Sequence, residues 1–386
     1  MLTKVRKTCR VCGSKELKEI FSFGSLSLSA FLDKPTKTQK VPLELIECQD
    51  CTLLQLRHTA PFQKMYTEQY WYKSGVNPVI ENDLKDIVDM AIHVAKPKRG
   101  DLFLDIGAND GTLLKYVPKK FVRWGVEPAK NLAEDCIRYC DMFNGCFWED
   151  FKGSSKAKVI TAIGMFYDSE DPNKFIKKVK EYLQEDGLFI AQMMTLYPML
   201  MNNDLGNVCH EHLEFYNYKS LVRLFEQNGL EIFKVEENKI NGGSYRLYAR
   251  HFKNGSVKHN EPKLSLKDWI RRLEKNRRET VSFVEMSVRG NLKVYVYGAS
   301  TKSSTILQWY GLDSKKISGA ADRNPAKWGK YQAGTNIKVV SEEEARKEAH
   351  VFLVMPYGFR DHFIKREKQW LKNNVMAFCT PKFEVI

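Results

Sequence analysis

Long apolar runs are missing from this 386-residue chain. None approaches the ~18 residues of a membrane-spanning helix, so no segment is expected to cross a bilayer. The opening Met-Leu-Thr-Lys-Val-Arg-Lys-Thr lacks the apolar core of an export signal, and a cytoplasmic location is expected. Internal repeats and low-complexity tracts are absent too, which sets aside repeat architectures and linker-like segments. No Gly-x-Gly-x-x-Gly follows the first clear strand, which argues against a dinucleotide fold there. No Gly-Lys-Ser/Thr closes a phosphate loop either. Charge of neither sign is scarce: 61 Lys and Arg against 47 Asp and Glu leave +14. The basic residues are spread along the chain, which suits a polyanionic small ligand or nucleic acid without choosing between them.

What is present begins with cysteine. Cys9-Arg-Val-Cys12 and Cys48-Gln-Asp-Cys51 are two Cys-x-x-Cys pairs 35 residues apart. Four thiolates complete a tetrahedral zinc shell about 2.3 Å from the metal and leave no open position, so the ion would be structural. Two disulfides or a redox pair are the alternatives, and the second pair and the missing export signal count against both. The other five cysteines show no metal spacing; Cys136 and Cys140 share a helix face and read as half-buried hydrophobes. Next comes an aromatic linker, Tyr70-Trp-Tyr-Lys-Ser-Gly-Val-Asn-Pro78, which suits either a lid over a substrate or an interdomain staple. The phenol of Tyr72 is the group best placed to reach a site. Residues 79–94 follow as an amphipathic helix.

An apolar strand through Leu102, Phe103 and Leu104 ends in Asp105 and breaks into a loop carrying Gly107, Asn109, Asp110 and Gly111. A helix follows. Such a turn exposes backbone N–H groups where a ligand can approach the main chain. About twenty residues on, Glu127 ends a second strand and can accept hydrogen bonds from a ribose diol. Together the loop and the acid resemble the S-adenosylmethionine site of class I methyltransferases, against a plain βα turn. Strands over 158–163 and 188–192, a turn at Asp186-Gly187 and helices over 131–140 and 175–183 continue a doubly wound sheet. Ligands lie beyond the carboxyl ends of such strands, so Met165 and Phe166 are expected to flank an adenine.

Chemistry is expected at Cys209-His-Glu-His-Leu213, between a strand and a helix over 220–227. Methyl transfer to carbon needs a base for a weakly acidic proton beside a carbonyl, and imidazole suits that task. A second polar group must stabilise the enolate oxygen. His210 and His212 could instead ligate zinc at i, i+2, although no third ligand shows clear spacing, or be satisfied structural histidines. In the last third, a charged helix over 260–285 leads to a strand and Gly298-Ala-Ser-Thr-Lys-Ser-Ser304. Those hydroxyls and the Lys302 ammonium suit a diphosphate at a helix N-terminus, or form an ordinary βα turn.

Five motifs then agree in one order. The cysteine pairs, Tyr70 to Asn77, Val208 to Tyr216, Asn241-Gly-Gly-Ser-Tyr-Arg246 and Gly298 to Lys302 resemble the sugar C-methyltransferase family. The resemblance implies an α/β protein: a class I methyltransferase (Rossmann-like) domain flanked by a small N-terminal zinc-binding domain and a C-terminal Rossmann-like domain. Expected bounds are 1–75, 76–255 and 256–386. It implies S-adenosylmethionine and structural zinc, and a nucleotide-linked 4-keto-6-deoxy sugar held between the second and third domains. It further implies His212 as base, with Glu211, His210 and Tyr72 assisting. Asp105, Gly107, Asn109, Gly111, Glu127, Met165 and Phe166 would hold the methyl donor. Tyr70, Lys73, Asn241, Arg246, Ser300 and Lys302 would hold the sugar nucleotide. Two departures stand out: Cys209 replaces a tyrosine found in some members, and Ser303-Ser304 replaces a Gly-Asn pair. No nucleic acid or membrane partner is expected, and a monomer or weak homodimer is. The rival readings are a dinucleotide-dependent oxidoreductase or epimerase, a nucleic-acid-binding zinc protein, and a nucleic-acid methyltransferase. The last lacks an Asn/Asp-Pro-Pro-Tyr-type loop and paired catalytic cysteines.

Overall fold

The computed structural model describes residues 3–61, 63–66, 70–355, 358 and 360–386. Its centre is a seven-stranded sheet ordered Leu230–Asn238, Ser244–His251, Leu183–Met194, Ala157–Ile163, Leu102–Ile106, Val122–Val126 and Met142–Asn144. The strands are parallel except Ser244–His251, which runs antiparallel to both neighbours. Near-continuous apolar strands are what a sheet covered on both faces requires, and Leu102–Ile106 is buried throughout. One face is covered by helix Pro78–Ala95. Asn77 caps that helix through its side chain, Pro78 opens it, and Ile80, Leu84, Ile87, Val88 and Ala91 lie along its buried stripe.

The turn expected at Asp186-Gly187 does not interrupt its strand. Leu183–Met194 is continuous and absorbs those residues where the pairing shifts register, from Ala157 opposite Leu183 to Val159 opposite Leu188. The helix expected over 131–140 is shorter: a 3₁₀ turn Lys130–Leu132 runs into Ala133–Ile137.

A second parallel sheet holds the C-terminal third, in the order Val339–Ser341, Gly319–Asp322, Val294–Tyr297, Val351–Val354 and Val375–Phe378, with Glu384–Val385 antiparallel at the edge. The 24-residue helix Leu266–Arg289 leads into it. The N-terminal sheet has four antiparallel strands: Leu17–Ser27, Lys40–Cys48, Leu54–Leu56 and, from far along the chain, Glu214–Phe215. That last pairing stitches the expected catalytic segment into the cysteine-bearing module. A second stitch pairs Phe31–Leu32 with Tyr331–Gln332 of the C-terminal third. Among the described residues, no helix is long and apolar enough to cross a membrane.

Candidate active site

The four cysteines converge. Gly13 N–H closes one knuckle on Cys9 O and Thr52 N–H closes the other on Cys48 O, each at 3.0 Å. Both closing residues take positive φ, +75° at Gly13 and +64° at Thr52. All four Sγ atoms lie within 4.8 Å of one another. A tetrahedron of 2.3 Å metal–sulfur bonds has edges of ~3.8 Å. The cluster therefore fits a four-sulfur ion with no open position.

A cleft opens beyond the carboxyl ends of Leu102–Ile106, Val122–Val126 and Ala157–Ile163. Gly107, at φ +69°, lets Met165 lie across the loop; a Cβ there would come within 2.8 Å of Met165 Cγ. Asn109 N–H donates to Glu127 Oε2 at 2.9 Å, and Ala129 N–H donates to Oε1 at 2.8 Å. Both oxygens are thus fixed, each with a lone pair left for a diol. Burial raises the Glu127 pKa while the two backbone donors oppose the rise.

The aromatic linker divides its work. Tyr70 and Tyr72 line the cleft, whereas Trp71 packs edge-on against Phe31 at 5.1 Å. Cleft-lining rings and a packing ring thus sit in one segment. Asn109 ties it down, accepting from Ser74 N–H at 2.9 Å and donating to Tyr72 O at 3.2 Å. Burial pushes the Tyr72 phenol up to about 12.

His212 Nδ1 lies 2.8 Å from Asn207 O. A carbonyl oxygen only accepts, so Nδ1 carries the proton and Nε2 keeps a bare lone pair. Burial, then the Lys302 ammonium, lowers this imidazole to about 3. Lys302 arrives on helix Thr301–Tyr310 and touches Met194 Sδ at 3.4 Å. The Tyr167 ring meets His212 edge-on at 4.6 Å. Glu211 is buried beside it, with Oε2 lacking a hydrogen-bond partner among the described residues. Burial raises the Glu211 carboxyl above the usual carboxylate range.

Other expected site residues have partners elsewhere. His210 turns away from the cleft, its Nε2 donating to Val41 O at 3.0 Å in the N-terminal sheet. Phe166 is fully buried and stacked on Tyr216 at 5.4 Å, because the 3₁₀ turn Phe166–Asp168 swings it into the core. Asp105 lies outside the cleft lining: it accepts from Thr161 Oγ1 at 2.6 Å, and burial brings it to about 7. Gly111 also lies outside it, and a Cβ there would meet Cys136 Cα and Tyr139 Cδ2 at 3.0 Å. Lys73 is spent on Asp135 at 2.8 Å. Arg246 is spent on Asp83 at 2.8 Å and Asp86 at 2.6 Å, pinning strand to helix. Ser300 caps its helix by accepting from Ser303 N–H, and Ser303 Oγ bonds back to Ser300 O. Asn241 is exposed in a left-handed turn at φ +54°, outside the cleft lining.

Sequence reasoning gave no site role to Trp148, Glu149 or Asp168, all of which line the cleft. The signal for Asp168 was available, since it follows the strand Ala157–Ile163 whose carboxyl end was already singled out.

Three family models match in order: "Putative zinc binding domain" at 9–66, "Methyltransferase domain" at 81–235 and "C-methyltransferase C-terminal domain" at 239–381. The C-methyltransferase NovU of Streptomyces niveus is 26% identical over 95% of this chain and 93% of its own. Among solved structures, an S-adenosylmethionine-dependent methyltransferase of Clostridium acetobutylicum is 14% identical, with TM-score 0.37 over 44% of this chain and 92% of that one. A magnesium protoporphyrin IX methyltransferase of Synechocystis, with bound S-adenosylmethionine, is 10% identical, with TM-score 0.36 over 45% and 79%.

Proposed function

We propose that the chain is an S-adenosylmethionine-dependent C-methyltransferase, as its three matched domain models suggest, and that its acceptor is a nucleotide-linked 4-keto-6-deoxy sugar, deprotonated beside the ketone by His212. The observation that carries this reading is the bond from Nδ1 to Asn207 O, which leaves Nε2 as an unprotonated base in the resting protein. The motif set resembling sugar C-methyltransferases supports the acceptor class.

The donor, when bound, supplies a methyl group on a sulfonium that a carbanion carbon can take as sulfur leaves as a neutral thioether. Glu127 would hold its ribose diol and Met165 would flank its adenine, with Tyr70 and Tyr72 in the same lining. Lys302 pairs with no carboxylate among the described residues, so its charge is free for a substrate phosphate beside His212. The four cysteines would hold a structural zinc.

The test is deuterium wash-in from heavy water with a panel of nucleoside-diphosphate 4-keto-6-deoxy sugars, with and without S-adenosylmethionine. The parent should exchange one ring hydrogen without donor and gain one methyl only with it. His212→Asn should slow exchange by ~10²–10⁴-fold, the usual worth of a positioned base. Donor binding with neither exchange nor mass gain for any sugar would sink the keto-sugar acceptor.

A further inference from the structure

We propose that Asp168 is the hydrogen-bond donor to the keto oxygen as that oxygen gains charge, the task left open by the turn of His210 to Val41. This rests on the keto-sugar reading above and names a further catalytic residue for it.

Asp168 closes the Phe166–Asp168 turn, lines the cleft and is only 8% exposed. Its Oδ1 has no hydrogen-bond partner among the described residues. A buried polar atom left unpaired on a residue that lines a cleft calls for an explanation, and a ligand that completes its set is one. The turn is pinned to the base-bearing segment, because Leu213 N–H donates to Tyr167 O at 2.9 Å. Tyr167 itself touches the His212 ring. Asp168 follows Tyr167 and His212 precedes Leu213, so one backbone bond ties the segment carrying the acid to the segment carrying the base.

The surroundings decide the protonation state. The titratable groups facing Asp168 are Glu211, Glu214, Tyr66, Tyr70, Tyr167 and Cys209, none of them a cation. Burial first and the Glu211 carboxyl next raise Asp168 far above the ordinary carboxylate range, with the Tyr66 hydroxyl opposing. Two carboxyls in one dry pocket do not both ionise, and the one that keeps its proton donates an O–H. Of the two, Asp168 lines the donor cleft, and it is assigned the retained proton.

When His212 Nε2 takes the carbon-bound proton, the C–H pair becomes the enolate C=C. The carbonyl π pair moves onto oxygen, against the Asp168 O–H. That proton stays on Asp168. As the C=C pair forms the new carbon–carbon bond, the oxygen pair restores the carbonyl and the pair of the broken carbon–sulfur bond stays on sulfur. His212 then returns its proton to solvent.

The experiment measures donor-free deuterium exchange into a nucleoside-diphosphate 4-keto-6-deoxyglucose, against pH, for the full-length parent, Asp168→Ala and Asp168→Asn. S-adenosylmethionine affinity is measured calorimetrically alongside. Removing a single oxyanion donor should slow exchange by ~10²–10³-fold in Asp168→Ala. Asp168→Asn keeps an N–H and should return to within about tenfold of the parent. It should also lose the alkaline limb that the parent shows as Asp168 ionises. Donor affinity, followed because Asp168 lines the donor cleft, does not enter the donor-free exchange. Parent-like exchange in Asp168→Ala, or equal losses in the two variants, would each overturn the proposal. If Asp168→Ala does not fold, a retained alkaline limb in Asp168→Asn overturns it alone. A parent that exchanges no sugar hydrogen brings down the acceptor reading and this proposal together, whereas an exchanging parent with an indifferent Asp168 brings down only this one.

Discussion

His210 and His212 stand two residues apart, yet opposite ring nitrogens hold them to different parts of the molecule. Nδ1 of His212 is held by Asn207 O and Nε2 of His210 by Val41 O. The consequence at His210 is a pH dependence of stability. Burial lowers its folded pKa to about 4, against an ordinary ~6.5 in the unfolded chain. Above ~6.5 both states are neutral and its contribution is fully present. As pH falls toward 4 the unfolded chain binds the proton first, so stability is lost across that window, by ~3 kcal/mol in all. Urea midpoints between pH 7 and pH 4 should fall more steeply for the parent than for His210→Gln, and parallel slopes would refute the assignment. The sequence made the His-Glu-His run conspicuous, and with it the base. It did not separate the two imidazoles, because the carbonyl that claims His210 lies on a strand 169 residues earlier.

At the scale of elements, the short strand Glu214–Phe215 decides where His212 sits, and Arg10 decides where that strand sits. Arg10 lies between Cys9 and Cys12 with its side chain wholly buried. Its guanidinium donates to Leu56 O at 2.6 Å and Thr59 Oγ1 at 2.8 Å, and lies 3.3 Å from Glu170 and 3.4 Å from Glu214. The fork reaches the strand, its neighbour and the methyltransferase sheet at once, a geometry lysine cannot copy. Arg10→Met leaves Glu214 buried without its cation, whereas Glu170 keeps Lys4 and Arg6, and should cost ~3–5 kcal/mol of unfolding free energy. Hydrogen exchange should rise at residues 209–216 in the same variant. A change under ~0.5 kcal/mol, the range of an ordinary surface substitution, would show Arg10 to be ornamental. Strand and helix periods made most elements legible. Where they misled, as at Asp186-Gly187, a bulged pairing absorbed residues that read locally as a turn. Phe166 misled for a different reason: a 3₁₀ turn reverses which neighbour faces the cleft, and an apolar triplet carries no sign of that.

The whole molecule is tied more closely than three consecutive domains would suggest. Cys9, Cys48 and Cys51 belong to the same apolar cluster as Leu104, Ile160 and Phe189 of the methyltransferase sheet. The pairing of Phe31–Leu32 with Tyr331–Gln332, and Gln308 Oε1 accepting from Ser27 N–H at 2.7 Å, carry the N-terminal module onto the C-terminal third. Such contacts span some three hundred residues and leave no local pattern, so the sequence implies the parts but not their clasp. A metal in the four-cysteine cluster should therefore stabilise all three regions, since its binding free energy is folding free energy for whatever the knuckles hold. Stripping it with a chelator should lower the unfolding temperature of the entire chain in one shifted transition and speed amide exchange at 209–216 and 331–332. Restored zinc should reverse both. A chelated protein that loses only a small early transition, with the 209–216 amides still protected, would make the cysteine module an appendage instead of the keystone between the donor cleft and the C-terminal sheet.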